Sequence, residues 1–313
     1  MHFFGPESRL RTLLAALALA GLAACQTVPP QVVPPVPPVV EAPPVAVPAP
    51  VPKPRPPRIG LALGGGAARG FAHIGVIEVL EENGIHPDLV AGTSAGSLVA
   101  ALYASGKTGA EMAALALTMD EGAITDWSFP LRGLIRGEAL ARYVREQTGS
   151  RTIEQMRLPL GIVATELDNG RPILFRRGDT GTAVRASSAV PAVFEPVRIK
   201  GHEYVDGGLV SPVPVRFARE MGAQLVIAVD ISTPPDGAAT GDLMDMLLQT
   251  FTIMSRSINR FELRDADVVV RPSLAGMSSA DFTARKRAIQ AGRDATLRAL
   301  PELRARIAAL TQP

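Results

Sequence analysis

The sequence predicts an α/β domain with a mostly parallel central sheet. Short apolar runs of strand length alternate with stretches that carry apolar residues at helical spacing, beginning with a strand at 58–63 and a helix at 71–83. Two glycine-rich loops each follow a strand and precede a helix, an order typical of the carboxyl ends of parallel strands. Because 47% of the residues are hydrophobic and only 20% are charged, the chain can bury a large core.

Each further element follows from its local pattern. A strand at 89–91 enters the second glycine-rich loop, and a helix at Ala95–Ala104 leaves it. The run Asp168-Asn169-Gly170 between two apolar segments predicts a hairpin turn. The other predicted elements are strands at 160–165, 172–175, 224–230 and 267–270 and a solvated surface helix within 282–310.

Two largely apolar stretches, 243–261 and 127–135, have no assigned place in this sheet. The first is predicted to be helical and carries Met244, Met246 and Met254. Either stretch fits a lipid-facing lid or, alternatively, packing in the core or at an interface. The core is favoured, because methionine at helical spacing is more often filler than part of a binding groove.

The amino-terminal residues predict export. Arg9 and Arg11 precede an apolar stretch over 12–22 that is too short to span a bilayer comfortably. The tetrapeptide Leu22-Ala23-Ala24-Cys25 resembles the lipobox of bacterial lipoproteins, in which the cysteine becomes the lipid-bearing first residue. An ordinary secretory leader with an incidental cysteine is the alternative. Cys25 is the chain's only cysteine, which excludes an intramolecular disulfide.

A proline-rich spacer follows the cysteine. Residues 29–57 contain 14 prolines, a composition that favours extended polyproline II. The expected organisation is therefore a signal peptide over 1–24, a lipid-anchored linker over 25–57 and one folded domain over 58–313. Gln26 is not acidic. By analogy with other lipoproteins, this favours anchoring in the outer membrane of a bacterial envelope, facing the periplasm.

Charge and motif spacing exclude two classes of partner. The net charge of +2, with basic residues scattered along the chain, leaves no stripe for a nucleic acid. A dinucleotide fingerprint that starts at Gly64 needs a third glycine where the chain has Arg69. The run Gly106-Lys107-Thr108 lacks the earlier glycine of a phosphate loop, because that position is Ala101. We therefore expect neither a nucleic acid nor a nucleotide.

The run Gly92-Thr93-Ser94-Ala95-Gly96 predicts a nucleophile elbow. A sharp turn from strand to helix exposes a serine hydroxyl, here that of Ser94. Gly92 and Gly96 suit this turn, because side chains at these points would collide as the backbone reverses. The Ala95 N–H begins a helix and has no intrahelical acceptor, so it can stabilise an oxyanion.

The first glycine-rich loop, which runs from Gly64 to Gly70, offers further amide donors. Gly64, Gly65 and Gly66 are predicted to present two N–H groups to a tetrahedral intermediate. Arg69, just before the end of the loop, either pins the loop, meets a phosphate or is a surface charge.

Two residues compete for the role of base. A triad in the order Ser94, Asp168, His202 is possible, but the hairpin turn already explains Asp168. Asp206 fits better, since it ends a strand at the tight turn Asp206-Gly207-Gly208, where partial desolvation raises the proton affinity of a carboxylate. The other histidines have no compelling arrangement; they are His2, His73 and His86.

Four sequence blocks occur in order along the chain. They are L-A-L-G-G-G-A-A-R-G-F-A-H-I-G-V at 61–76, G-T-S-A-G at 92–96, R-A-S-S-A-V-P-A-V-F-E-P at 185–196 and Y-V-D-G-G at 204–208. Together they resemble the patatin-like phospholipases, specifically bacterial members with a short single-domain body. The resemblance covers residues 58–271.

This resemblance implies a three-layer fold and a serine-aspartate dyad of Ser94 and Asp206. It also implies an oxyanion hole in the loop from Gly64 to Gly70, hydrolysis of acyl esters of phospholipids or lysophospholipids, and no metal or cofactor. Compared with the plant-like loop, one more residue separates the triple glycine from Arg69, so the amides that face the oxyanion stay open. Site-shaping residues are implied in the third block: Ser187, Ser188 and Pro191. The pair of serines either hydrogen-bonds the dyad or ends a helix. A catalytically silent, lipid-binding envelope scaffold with this fold is the alternative.

Overall fold

The structure, a computed structural model, describes residues 55–124, 126, 133–232, 241–278 and 281–312. The predicted signal peptide, Cys25 and nearly all of the linker lie outside the described residues. The strands are β1 (Ile59–Leu63), β2 (Leu89–Thr93), β3 (Gly133–Ile135), β4 (Leu160–Glu166), β5 (Pro172–Phe175), β6 (Ala192–Phe194), β7 (Val197–Ile199), β8 (His202–Asp206), β9 (Leu225–Val229) and β10 (Val268–Val270). The α-helices are α1 (Ala72–Glu82), α2 (Ala95–Ala104), α3 (Gly109–Thr118), α4 (Glu138–Gln147), α5 (Thr180–Ser187), α6 (Val215–Glu220), α7 (Leu243–Glu262) and α8 (Arg285–Leu310).

The central sheet has the order β10-β9-β1-β2-β4-β8-β7, with β5 paired to β4. Its first five strands pair in parallel, whereas β5, β7 and β8 pair antiparallel. All residues of β1, β2, β4 and β9 are buried, which is typical of strands covered on both faces. The predicted, mostly parallel α/β sheet is therefore confirmed. Outside this sheet, β3 and β6 form a short parallel pair.

Helices cover both faces of the sheet and complete three layers. On one face, large side chains such as Leu61 and Ile227 pack among residues of α1, α2 and α8. On the other face, small side chains such as Ala62 and Ala228 pack against α6. The small residues allow the short helix α6 to lie close to the sheet.

Helices α1 and α8 approach each other backbone to backbone. A Cβ atom on Gly75 would collide with the carbonyl oxygen of Ile289, and one on Gly292 would collide with that of Ala72. Glycine at both positions therefore permits this packing. The helix predicted within 282–310 is present as α8, which buries a face of small and aliphatic residues and is solvated on the other side.

The shorter predictions have mixed outcomes. The hairpin at 168–170 is confirmed, since β4 and β5 pair antiparallel and Gly170 has a φ of 71°. The stretch 127–135 lies mostly outside the described residues, although its last three residues form β3. The stretch 243–261 is helical, as predicted, but its apolar side chains are largely exposed, so the core interpretation is wrong. Among the described residues, no helix combines the length and the apolar character needed to cross a membrane.

Candidate active site

Ser94 occupies a strained turn between β2 and α2. Its backbone has a φ of 53° and a ψ of −126°, a region that residues with a side chain rarely adopt. Cβ atoms on Gly92 and Gly96 would collide with the carbonyl oxygens of Gly96 and Leu63, respectively, so only glycine fits at both positions. The neighbouring Thr93 and Gly96 are buried, whereas Ser94 is partly exposed. The turn therefore presents the Ser94 hydroxyl at the surface of a closely packed region.

Two buried hydroxyl groups hold this turn in place. The Ser94 N–H donates to Ser187 Oγ at 2.8 Å, and Ser187 Oγ donates to the carbonyl oxygen of Val163 at 2.5 Å. Thr93 Oγ1 donates to the carbonyl oxygen of Ser211 at 2.8 Å. Of the two roles left open for Ser187, it fills both, since it hydrogen-bonds the backbone of Ser94 and is the last residue of α5. Ser211 was not anticipated, because nothing local in the sequence indicates its partner.

Asp206 ends β8 beside the elbow. In the sheet register, Thr93 pairs with Val163 and Asp206 pairs with Ala164, so the two residues face consecutive positions of β4. Asp206 is 1% exposed, and its Oδ1 accepts the Gly208 N–H at 2.6 Å. A Cβ atom on Gly207 would collide with the carbonyl oxygen of Val163. Gly207 thus allows the close approach that brings Asp206 next to the elbow.

The second carboxylate oxygen of Asp206 is unusual. Oδ2 is buried and, among the described residues, accepts no hydrogen bond of ordinary length and angle. Burial raises the pKa of Asp206 to about 6, while the nearby Ser94 hydroxyl and the Gly208 N–H oppose this rise. The Ser94 hydroxyl therefore acts on this carboxylate across a contact looser than a formed hydrogen bond, as is common in catalytic sites without substrate. A pKa near 6 suits a general base at neutral pH.

The glycine-rich loop lies against the elbow, but not all of its amides are available. A Cβ atom on Gly65 would lie 3.1 Å from Ser94 Cβ, and one on Gly70 would lie 2.8 Å from Ala95 Cβ. The Gly64 N–H donates to Val229 and the Gly65 N–H donates to Pro212, both to carbonyl oxygens. This corrects the expectation that two of the three amides of Gly64, Gly65 and Gly66 face an oxyanion, because only that of Gly66 is left. Gly66 N–H has no acceptor in the described part of the chain.

Two side chains fix the path of this loop. Arg69 Nε donates to the carbonyl oxygen of Gly66 at 3.1 Å, so Arg69 pins the loop. Burial lowers the pKa of Arg69, which the carboxylate of Asp230 opposes. His73 is fully buried, and its Nε2 donates to the carbonyl oxygen of Gly64 at 2.8 Å. Burial lowers the pKa of His73 to about 4, so the ring is neutral at pH 7. The sequence alone indicates no role for His73.

Comparison with known proteins identifies the family. The protein-family model described as "Patatin-like phospholipase" matches residues 61–219, which include the glycine-rich loop, the elbow and Asp206. The chain belongs to the patatin-like phospholipase family. This confirms the resemblance drawn from the four sequence blocks.

Individual proteins of the patatin-like family are similar to this chain over segments longer than the one that the family model matches. An "Uncharacterized NTE family protein" of Mycobacterium tuberculosis is 38% identical over 186 residues, which cover 58% of this chain and 51% of that protein. Another from the same species is 30% identical over 275 residues, which cover 78% of this chain and 47% of the relative. Mouse (Mus musculus) patatin-like phospholipase domain-containing protein 6 is 34% identical over 183 residues, 56% of this chain and 14% of that protein. The chain thus spans about half the length of the mycobacterial relatives.

A solved structure shares the patatin-like fold. VipD from Legionella pneumophila superposes with a TM-score of 0.56 at 16% sequence identity, covering 79% of this chain and 67% of VipD. The likeness concerns the fold alone, and it agrees with the predicted three-layer architecture.

The triad hypothesis does not fit the patatin-like geometry of this chain. His202 and Asp206 lie at opposite ends of β8, which at ~3.3 Å per residue separates their Cα atoms by about 13 Å. His202 Nδ1 instead pairs with Glu166 at 2.7 Å. Asp168 lies in the hairpin turn close to both residues, and Arg171 also pairs with Glu166. This polar cluster accounts for Asp168 and His202 without Ser94.

Proposed function

We propose that the chain is a serine lipid acyl hydrolase that cleaves acyl esters of phospholipids or lysophospholipids through Ser94 and Asp206. One observation carries the proposal. Thr93 and Asp206 pair with consecutive positions of β4, so the strained, partly exposed Ser94 that follows Thr93 lies beside a buried carboxylate, one oxygen of which has no partner among the described residues. The membership of the patatin-like family supports lipid esters as the substrate class.

In the proposed mechanism, Asp206 Oδ2 accepts the proton of the Ser94 hydroxyl while Ser94 Oγ attacks the ester carbonyl carbon. The N–H groups of Gly66 and Ala95 stabilise the oxyanion that forms. The protonated Asp206 then transfers its proton to the departing alcohol oxygen, leaving an acyl group on Ser94. A water molecule gives a proton to Asp206 and attacks this acyl group, and the fatty acid leaves as Ser94 regains its hydrogen.

We also propose the place where this chemistry occurs. A lipid on Cys25 would tether the chain to the outer membrane, facing the periplasm, and the proline-rich spacer would give the folded domain reach. Incorporation of radiolabelled palmitate into the wild-type chain, and its loss in Cys25→Ser, is the expected result. Palmitate incorporation that persists in Cys25→Ser would contradict the anchor.

The catalytic proposal is tested by labelling and by turnover. Wild-type protein is expected to react with a fluorophosphonate probe and to release fatty acid from a lysophospholipid. Ser94→Ala is expected to abolish both, and Asp206→Asn to lower turnover at least about 10³-fold, because the serine loses its base. His202→Ala is the matched control and is expected to stay active. Loss of activity in His202→Ala with retention in Asp206→Asn would establish the triad instead. Lipid co-purification without labelling or turnover would indicate the silent scaffold.

A further inference from the structure

Helix α7 buries polar residues and exposes apolar ones, which is the reverse of an ordinary solvated surface helix. The buried residues of α7 are Asn259 and Glu262, whereas large apolar side chains face solvent. Apart from Leu248, the exposed large apolar residues recur on one side at helical spacing, and we call them the α7 apolar stripe: Leu243, Met246, Leu247, Ile253, Met254 and Phe261. At 1.5 Å per residue, the stripe is about 27 Å long. An exposed apolar surface of this kind marks an interaction site.

The orientation of α7 is fixed by its polar contacts. Asn259 Oδ1 accepts the Val213 N–H at 3.1 Å, and the Glu262 carboxylate accepts the Ser211 hydroxyl at 2.8 Å. Arg216 also pairs with Glu262 at 3.1 Å. These buried contacts would break if α7 turned its apolar stripe inward, so the outward direction of the stripe is built into the fold.

The inner side of α7 touches the candidate catalytic turn. Ser255 Oγ donates to the carbonyl oxygen of Gly208 at 3.2 Å, and a Cβ atom on Gly208 would lie 2.9 Å from Phe251 Cζ. The Gly208 N–H in turn donates to Asp206. A surface that covered the stripe would therefore lie about one helix diameter, ~10 Å, from the turn that carries Asp206.

Arginines accompany the stripe along the carboxyl-terminal half of α7 and beyond. Arg256, Arg260 and Arg264 follow one another at intervals of four residues and line a cavity of about 560 Å³. Arg271 also lines this cavity and pairs with its one lining carboxylate, Asp230, at 3.5 Å. Three further guanidinium groups thus give the cavity a net positive charge, which complements phosphate.

We propose that α7 docks the protein on a phospholipid bilayer that contains anionic headgroups. The α7 apolar stripe lies in the plane of the interface with its side chains among the acyl chains, and Arg256 and Arg260 contact headgroup phosphates. This proposal rests on the proposed function only in that the bilayer supplies the substrate. It places the candidate catalytic turn next to the lipid surface.

The experiment measures sedimentation with vesicles, using full-length chains that all carry Ser94→Ala and Cys25→Ser. The first change prevents hydrolysis of the vesicles, and the second removes the proposed anchor. The test variant combines Leu247→Gln with Ile253→Gln. These two residues of the stripe are 46% and 50% exposed. The control combines Leu117→Gln with Leu297→Gln on other helices, at 45% and 49% exposed. With phosphatidylcholine vesicles containing phosphatidylglycerol, we expect about tenfold or greater loss of binding for the test variant and less than about twofold for the control.

Further arms separate the alternatives. Arg256→Gln with Arg260→Gln is expected to weaken binding to vesicles with phosphatidylglycerol about tenfold and to leave binding to pure phosphatidylcholine unchanged. Equal vesicle binding by the test and control variants would overturn the proposal. So would light scattering that shows a dimer dissociating in the test variant while vesicle binding is unaffected, since the stripe would then cover a second copy.

A last arm separates this proposal from the proposed function. Chains with Ser94 restored are given a soluble short-chain ester, and the stripe variant is expected to match the wild-type rate. If no chain hydrolyses the ester, the proposed function fails, whereas the vesicle result still decides the docking proposal.

Discussion

The buried hydroxyl of Ser187 accepts the amide hydrogen of Ser94. It also donates to the carbonyl oxygen of Val163, so the carboxyl-terminal end of α5 connects the strained turn to β4. Strain at one residue persists only where the surroundings over-determine the backbone, and Ser187 supplies part of that determination.

Replacement of Ser187 by alanine should therefore loosen the turn. The Ser94 N–H loses its buried acceptor, which costs about 1–3 kcal/mol in the free energy of unfolding. We expect Ser187→Ala to lower kcat about tenfold and to change KM little, because the serine is displaced rather than the lipid contacts. Ser188→Ala is the control, measured by the same kinetics and by urea unfolding. A Ser187→Ala enzyme with wild-type kcat would show that the turn does not need this contact.

The rate should depend on pH through Asp206. The carboxylate acts as a base only when ionised, and burial raises its pKa to about 6. We therefore expect kcat/KM for a soluble ester to rise with pH through about 6 and to level off above it. The profile of His202→Ala should be the same. A rise centred near pH 4 would mean that Asp206 is not desolvated in the working enzyme.

The free energy of unfolding should also depend on pH through Asp206. Because the folded pKa of Asp206 lies above the ordinary value of 3.8, the folded state binds more protons between about pH 4 and 6, and this contribution to stability is lost as pH rises. The free energy of unfolding of wild type minus that of Asp206→Asn should therefore fall by about 2–3 kcal/mol from pH 4 to pH 7. Urea unfolding at several pH values measures this difference. A constant difference across that range would contradict the raised pKa.

His73 contributes to the free energy of unfolding with the opposite pH dependence. Its pKa is lowered to about 4, so its contribution to stability is present above the ordinary value of 6.5 and is lost as pH falls through about 4. The two buried groups partly cancel in the wild type. Below neutral pH, we expect the free energy of unfolding to fall less steeply with falling pH in the wild type than in Asp206→Asn. Of the two contributions, that variant keeps only the one from His73.

Arg69 should matter for rate more than for stability. Its Nε holds the carbonyl oxygen of Gly66, whose N–H is a proposed oxyanion donor. We expect Arg69→Ala to lower kcat about tenfold to a hundredfold, since a misplaced donor loses much of its effect. Arg69→Lys should restore little, because an ammonium group lacks the directed Nε–H. Steady-state kinetics and urea unfolding check this. If the stability loss in Arg69→Ala accounts for the activity loss, the positioning role is wrong.

Much of this architecture could be predicted from short-range signals. The elbow, the hairpin at 168–170 and most strands depend on residues a few positions apart, and the structure has them where the sequence places them. The antiparallel register of β8 on β4 depends on a pairing between distant segments. Local pattern indicated Asp206 as a candidate base, but its place beside Ser94 was implied only by the family resemblance.

The other features that the sequence did not predict also depend on contacts between distant segments. Whether Gly64 and Gly65 present their amides depends on the carbonyl oxygens of Val229 and Pro212, which belong to distant parts of the chain. His73 holds Gly64 across a turn whose path the sequence does not indicate. For α7, the sequence indicated a largely apolar helix but not which way its apolar residues face, because the orientation is set by the buried contacts of Asn259 and Glu262.

The glycine contact between α1 and α8 links the last helix to the chemistry. His73 lies on α1, and α1 has no freedom to shift along α8 while Gly75 and Gly292 keep the two backbones in contact. The position of the His73 ring against the Gly64 carbonyl oxygen therefore depends on a helix that is distant along the chain.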